Sequence, residues 1–157
     1  MDTFILIGIT GIGLGALYFL VASGLSLIYG LMGVLNFAHG SFLTVGAFVG
    51  YWIATKLGPE TSMVDFVIAM IVGGLAAGLF ALAMEQLLIT RLYERHIDQA
   101  LVTVGVSLVV GAVLAGWFGN DLIMFPTPMW FLTAINVGGA MIPADRVVYI
   151  ATAVLLL

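Results

Sequence analysis

Charge is what this 157-residue chain has least of, since only 8% of its residues are Asp, Glu, Lys or Arg. Soluble domains average about 25% charged residues, so a water-soluble packed core is excluded. Hydrophobic residues make up 63% of the chain and the mean hydropathy is +1.26. Cysteine is absent, which excludes disulfides, thiolate metal sites and a cysteine nucleophile. The composition predicts a membrane protein.

Motifs for catalysis are also missing from the sequence. It contains no Gly-x-x-x-x-Gly-Lys-Ser/Thr phosphate loop, no His-Glu-x-x-His and no Gly-x-Ser-x-Gly. Nucleotide hydrolysis and metal- or serine-dependent catalysis therefore have no basis in these residues. A lone His39 lacks the companion ligands that a metal needs. We expect a chain that is not an enzyme and that holds no metal and no cofactor.

The longest apolar stretch covers residues 3–55, 53 residues without one Asp, Glu, Lys or Arg. About 20 apolar residues already span the hydrocarbon core. A polar cluster interrupts this stretch, with glycines before and within it: Gly30, Gly33, Asn36, His39, Gly40 and Ser41. Residues 4–55 are too long for two straight crossings and short for three. We predict two full spans plus a broken or re-entrant segment near residues 30–40.

The rest of the chain alternates between apolar blocks and short polar connections. We predict a loop over residues 56–62, followed by a long helix over residues 63–90. We also predict a charged loop over residues 91–98 and a further span over residues 99–118. Residues 119–146 predict an external connection with either a small β-hairpin around 136–139 or an irregular interfacial loop. A final helix starts near residue 146 and is cut at 157. The predicted fold is an all-α polytopic transmembrane bundle, truncated at its C-terminus, in a single domain of residues 1–157.

Orientation follows from the basic residues near the spans. The 91–98 loop holds Arg91 and Arg95 and is predicted to lie in the cytoplasm, which places residues 56–62 and 119–146 outside. Two spans before residue 56 put the N-terminus outside, whereas three spans put it inside.

Asn36, His39 and Ser41 are the main candidate functional residues, with Gly33 and Gly40 beside them. Polar side chains inside a membrane are expensive unless they face protein or a water-filled path. They could line a solute pathway, or they could bond the backbone groups freed where a helix breaks; the two roles are compatible.

Other residues have structural interpretations of their own. Glu85 is expected to reach the interface or pair with another helix, and gating is the alternative. The pairs Gly11/Gly15, Gly46/Gly50 and Gly74/Gly78 predict close helix packing.

Residues 24–40 (GLSLIYGLMGVLNFAHG) closely resemble the first-half signature of the branched-chain amino-acid ABC importer permeases. The resemblance continues through residues 42–51 and, more weakly, through Glu85, residues 91–95 and the Phe125-Pro126 pair. It covers essentially the whole chain.

The resemblance implies a multi-pass permease subunit in the bacterial inner membrane that forms the path for branched-chain amino acids. Implied partners are a second permease, two cytoplasmic ATPase subunits that bind ATP, and an external solute-binding protein, besides membrane lipid and without nucleic acid. Arg91, Glu94 and Arg95 are the candidates for a cytoplasmic loop near the ATPase. The alternatives are a urea or short-amide permease of the same family and a passive channel or ion-coupled carrier.

Overall fold

The computed structural model describes residues 2–58, 62–137 and 140–156. Helices dominate this part of the chain, and a two-stranded antiparallel sheet is the only sheet in it. The predicted all-α class is therefore confirmed. The helices are α1 (Asp2–Met32), α2 (His39–Leu57), α3 (Met63–Met84), α4 (His96–Phe118) and α5 (Ala144–Leu155), and the strands are β1 (Ala134–Val137) and β2 (Ala140–Pro143).

Three helical segments in the described ranges are long and apolar enough to cross a membrane: Thr3–Met32, Met63–Leu92 and His96–Phe118. The predicted polytopic character is thus confirmed. The first apolar block forms two helices, α1 and the 19-residue α2. Within residues 2–58 the irregular part is the connection between these two helices, and that range contains no third helical segment.

The predicted break near residues 30–40 is confirmed and lies between Met32 and His39. Gly33 ends α1 with a φ of 65°, a left-handed conformation that glycine adopts without the steric cost of a Cβ. The Gly33 N–H still donates to the Tyr29 carbonyl at 2.9 Å. Residues 34–38 then run without helical structure until α2 begins.

Helices α2 and α3 pack through glycine. A Cβ built on Gly73 would lie 2.5 Å from the Gly46 carbonyl oxygen and 3.3 Å from the Cα of Gly50. The predicted packing role of Gly46 and Gly50 is confirmed. A Cβ at Gly74 or Gly78 would meet no atom within 4 Å, so the face of α3 in contact with α2 is that of Gly73, one residue earlier.

The connection before α3 is shorter than predicted, because α2 continues through Lys56 to Leu57. Ser62 caps α3, where its Oγ accepts from the Asp65 N–H and its own N–H donates to the Asp65 carboxylate, both at 3.2 Å. Such a capping box satisfies two backbone donors that helix geometry leaves free. Residues 59–61 of the predicted loop lie outside the described residues.

The second block is helical through Leu92 but changes its winding near its end. A π-helical turn covers Glu85–Ile89 and a 3-10 turn covers Thr90–Leu92. Helix α4 then begins at His96. The predicted 91–98 loop is therefore largely helical, and only residues 93–95 connect the two helices.

Contacts divide the chain into two compact units, Met1–Leu27 with Thr127–Leu157 and, separately, Ile28–Pro126. In the first unit, β1 pairs with β2 in the register Ile135 to Ile142. The hairpin prediction is confirmed, although β1 begins only at Ala134; the turn residues 138–139 lie outside the described residues. Helix α5 starts at Ala144, close to the predicted residue 146.

The second unit holds a buried apolar cluster where the break, α2 and the end of α3 meet. Ala38 is fully buried, and Val34 and Ile89 are nearly so. Phe42 and Met84 complete the cluster, and Phe80 stacks edge-on against Phe42 with ring centroids 5.8 Å apart. The break is thus fixed by packing on its apolar side.

Candidate functional site

A cavity of about 320 Å³ lies in the second unit, between the last turn of α1, the break, α2 and the end of α3. Its volume is at the lower end of the roughly 300–1,000 Å³ typical of small-molecule pockets. Asn36 and Glu85 are the two polar side chains among its described lining residues. The apolar lining includes Ile28, Met32, Phe42, Ala81, Met84 and Ile89.

Asn36 lies in the break and is buried, with 8% of its surface exposed. Its Oδ1 accepts from the Ala38 N–H at 2.9 Å, and its own carbonyl accepts from the His39 N–H at 3.2 Å. The side chain therefore satisfies a backbone donor freed by the broken helix. Its Oδ1 is engaged as an acceptor of the backbone N–H, and its Nδ2 is the donor that remains for a solute.

Thr103 lies on α4 and bonds the backbone of the break, and the sequence analysis did not identify it. It is fully buried, and its Oγ1 accepts from the Phe37 N–H at 3.2 Å while donating to the Ala100 carbonyl at 2.9 Å. One turn earlier, the buried Gln99 donates through Nε2 to the Leu92 carbonyl at 2.7 Å. Two polar residues four positions apart share one face of a helix, and this spacing was the available signal.

The other residues predicted for the pathway are near the cavity in sequence but are not among its described lining residues. His39 begins α2, and its Nδ1 is buried without a hydrogen-bond partner in the described part of the chain. Ser41 is buried, and its N–H donates to the Ala38 carbonyl at 2.9 Å. Gly33 and Gly40 are exposed. Of the five predicted residues, Asn36 is the one placed at the cavity.

Glu85 opens the π-helical turn and contributes the carboxylate of the cavity. The Tyr93 hydroxyl donates to Glu85 Oε1 at 3.1 Å. Desolvation of the phenol, followed by its hydrogen bond and charge interaction with Glu85, raises the pKa of Tyr93 above its ordinary 10.0. Tyr93 therefore stays neutral and able to donate at physiological pH.

The residues predicted to lie near an ATPase are all at the surface. Arg91, Glu94 and Arg95 are exposed. Arg95 approaches the Asp98 carboxylate at 3.7 Å, and both side chains are well solvated, so the pair contributes little to stability.

The site is suited to holding a small solute without strong bonds. Apolar walls accept an aliphatic group, while one carboxylate and one carboxamide supply polar contacts. No group of three or more His, Cys, Asp or Glu residues able to hold a metal occurs within the described ranges.

The apolar spans indicate a membrane protein, and the cavity beside the broken helix is its candidate solute site. Residues 7–157 match the family described as "Branched-chain amino acid transport system / permease component". This chain belongs to that family.

Curated relatives match a shorter part of the chain. The high-affinity branched-chain amino acid transport system permease protein LivH of Escherichia coli (strain K12), like LivH of Salmonella typhimurium, is 40% identical over 47 residues, or 30% of this chain and 15% of LivH. The corresponding protein BraD of Pseudomonas aeruginosa is 35% identical over 49 residues, covering 31% of this chain and 16% of BraD. These matches thus span less than a fifth of each relative. No solved structure matches the chain significantly.

Proposed function

We propose that this chain is a membrane-spanning permease subunit of a binding-protein-dependent, ATP-driven importer, and that it forms part of the path for branched-chain amino acids across a bacterial inner membrane. The family match over residues 7–157 is the observation that carries this proposal. The LivH and BraD relatives are named as branched-chain amino acid transport permeases, which supports the choice of solute.

The proposed path runs beside the break in the helices. Asn36, His39 and Ser41 supply weak polar contacts there. Gly33 permits the backbone to leave helical geometry, and Gly40 leaves room beside these residues because it has no side chain. Weak contacts suit transport, because a solute held by strong charges would be trapped rather than released. The cavity at Asn36 and the buried, unpartnered Nδ1 of His39 support this placement.

The energy for uptake comes from partners in this proposal. A second permease, two cytoplasmic ATPase subunits and an external binding protein complete the importer, and ATP binds to the ATPases. The exposed Arg91, Glu94 and Arg95 lie on a short connection that an ATPase subunit could contact. Mid-membrane ionisable groups, which ion-coupled carriers need, are scarce in this sequence.

Uptake into vesicles tests the assignment. The full-length permease with its partner subunits is reconstituted, and labelled leucine uptake is measured with ATP or ADP, with and without the binding protein. We expect uptake to need both ATP and the binding protein, and excess isoleucine or valine to compete where urea and ribose do not. Competition by urea alone identifies the amide-permease alternative, and uptake with ADP and no binding protein identifies a channel or carrier.

Variants of the polar cluster test the proposed path in the same vesicles. Asn36→Asp adds a charge at the cavity, and His39→Ala removes the buried imidazole. We expect each to reduce leucine uptake by ~10-fold, equivalent to the loss of one good hydrogen bond, with unchanged leucine affinity of the binding protein. Asn120→Asp, the same change in the exposed segment after α4, is the matched control. Wild-type uptake in both cluster variants would remove these residues from the mechanism.

A further inference from the structure

The cavity is lined mostly by apolar side chains, but two polar side chains also reach it. Its two polar side chains come from different elements, Asn36 from the break and Glu85 from the π-helical turn that follows α3. Glu85 can offer a negative charge and hydrogen-bond acceptors, whereas Asn36 has Nδ2 left to donate. An anionic acceptor and an amide donor on one cavity suit a molecule that carries both an ammonium and a carboxylate.

Glu85 has no cationic partner within the described ranges. The ion pairs found there are Arg95 with Asp98 and Arg146 with Asp145, and neither contacts Glu85. Tyr93 occupies Oε1 only. Glu85 is half-buried, so its Oε2 can be reached from the cavity, and an ammonium group arriving there would form a charge-assisted hydrogen bond with it.

Hydrogen bonds fix both the main chain and the side chain of Glu85. Both the N–H and the hydroxyl of Thr90 point to the Glu85 carbonyl, the hydroxyl at 2.8 Å. This satisfies the carbonyl that the π-helical turn removes from ordinary i to i+4 bonding, and such turns occur frequently at functional sites. Tyr93 then fixes the side chain from the other end.

We propose that Glu85 binds the ammonium group of the transported solute and thereby selects zwitterionic amino acids over urea and short amides. The Nδ2 of Asn36 donates to the carboxylate of the same solute, and the apolar walls contact its side chain. This inference rests on the proposed function and names the residue that sets the substrate class. A single carboxylate that is already hydrogen-bonded to Tyr93 allows the ammonium group to be released. Asn36→Asp would add a second carboxylate, and the two together would hold the ammonium group too strongly.

A cysteine-protection experiment tests this assignment directly on the cavity. The chain contains no cysteine, so Leu82→Cys places a single thiol of this chain on the cavity lining. The full-length permease, with any cysteines elsewhere replaced, is reconstituted with its partners, and the rate of labelling by a water-soluble thiol reagent is measured. The added ligands are leucine, isoamylamine (leucine without its carboxylate) and isocaproate (leucine without its amine). Leu122→Cys, an exposed position away from the cavity, controls for reagent access.

We expect leucine and isoamylamine to slow labelling of Leu82→Cys and isocaproate to leave it unchanged. Glu85→Gln keeps the size of the side chain and an acceptor for Tyr93, and it should raise the isoamylamine concentration for half-protection by ~10-fold or more, because a charge-assisted hydrogen bond is lost. Glu85→Asp keeps the charge and should retain protection. Asp121→Asn removes one exposed carboxylate elsewhere and should change nothing.

Equal protection by isocaproate and isoamylamine, or unchanged protection in Glu85→Gln, would overturn the assignment of Glu85. If no ligand protects while ATP-driven leucine uptake is normal, the ammonium site is wrong and the importer function stands. If leucine uptake itself is absent in the wild type, the failure belongs to the proposed function.

Discussion

Single hydrogen bonds determine how the broken segment is held. Asn36 bonds the Ala38 N–H from within the break, and Thr103 bonds the Phe37 N–H from α4. In a membrane interior each of these donors would otherwise face a medium that cannot replace the bond. The two contacts therefore supply what the missing helical turn would have supplied.

Thr103→Val tests this support because valine matches threonine in shape and lacks the hydroxyl. The Phe37 N–H would lose its acceptor, and we expect the free energy of unfolding to fall by about 1–2 kcal/mol. Thermal unfolding of the purified permease in detergent measures the loss. Ser107→Ala is the control one turn further along α4, where the hydroxyl donates only to the Val104 carbonyl of its own helix. An equal loss in both variants would contradict the role of Thr103.

Sequence patterns identify some of these residues and not others. Asn36 stands out because an amide inside a long apolar stretch needs a partner or a cavity. Glu85 could be recognised as unusual, but its place on the same cavity as Asn36 depends on how α2 and α3 pack, which no local pattern specifies. Thr103 remains inconspicuous, since threonine is tolerated in apolar helices through bonds to its own backbone.

Helix packing in the second unit depends on the absence of side chains at one crossing. Gly73 approaches Gly46 so closely that Gly73 has no room for a methyl group, while a Cβ on Gly46 would lie a tight 3.0 Å from the Gly73 carbonyl oxygen. Close backbone approach of this kind drives association in membranes, where burial of apolar surface gives little preference.

Gly73→Ala should separate α2 from α3 and destabilise the permease by about 1–3 kcal/mol, the usual effect of overpacking. Gly74→Ala is the neighbouring control, because a Cβ there meets no atom within 4 Å, and alanine favours a helix over glycine by roughly 0.5–1 kcal/mol. Thermal unfolding in detergent measures the stability change of each of the two variants. A similar shift in both variants would argue against the crossing at Gly73.

Element boundaries follow local rules only where those rules are strong. Gly33 and the polar cluster predict the break, and the glycine pair 138–139 predicts the hairpin. The 91–98 stretch was predicted as a loop because of its charges, yet α4 already begins at His96. Charged residues are compatible with a helix once its other face is packed, as the buried Gln99 shows. The change to π-helical winding at Glu85 has no sequence signature.

At the scale of the whole molecule, the described spans require connections on alternating sides of the membrane. Residues 93–95 and the segment after Phe118 lie at opposite ends of α4, a helix long and apolar enough to cross the bilayer. Arg91 and Arg95 predict that the first of these connections is cytoplasmic.

Single cysteines at Glu94 and Leu122 test this arrangement, since the chain has no cysteine of its own. Both positions are exposed. We expect a membrane-impermeant thiol reagent to label Leu122→Cys in right-side-out vesicles and Glu94→Cys only in inverted ones. Labelling of both cysteines from one side would contradict a crossing by α4.

The π-helical turn at Glu85–Ile89 also has a consequence for how the family can vary. Such a turn accommodates one residue more than α-helical winding, which is what a single-codon insertion leaves behind in a helix. Losing that residue would rotate Arg91 by about 100° relative to the cavity. The turn therefore sets the angle between the candidate solute site and the charged surface that is proposed to meet an ATPase.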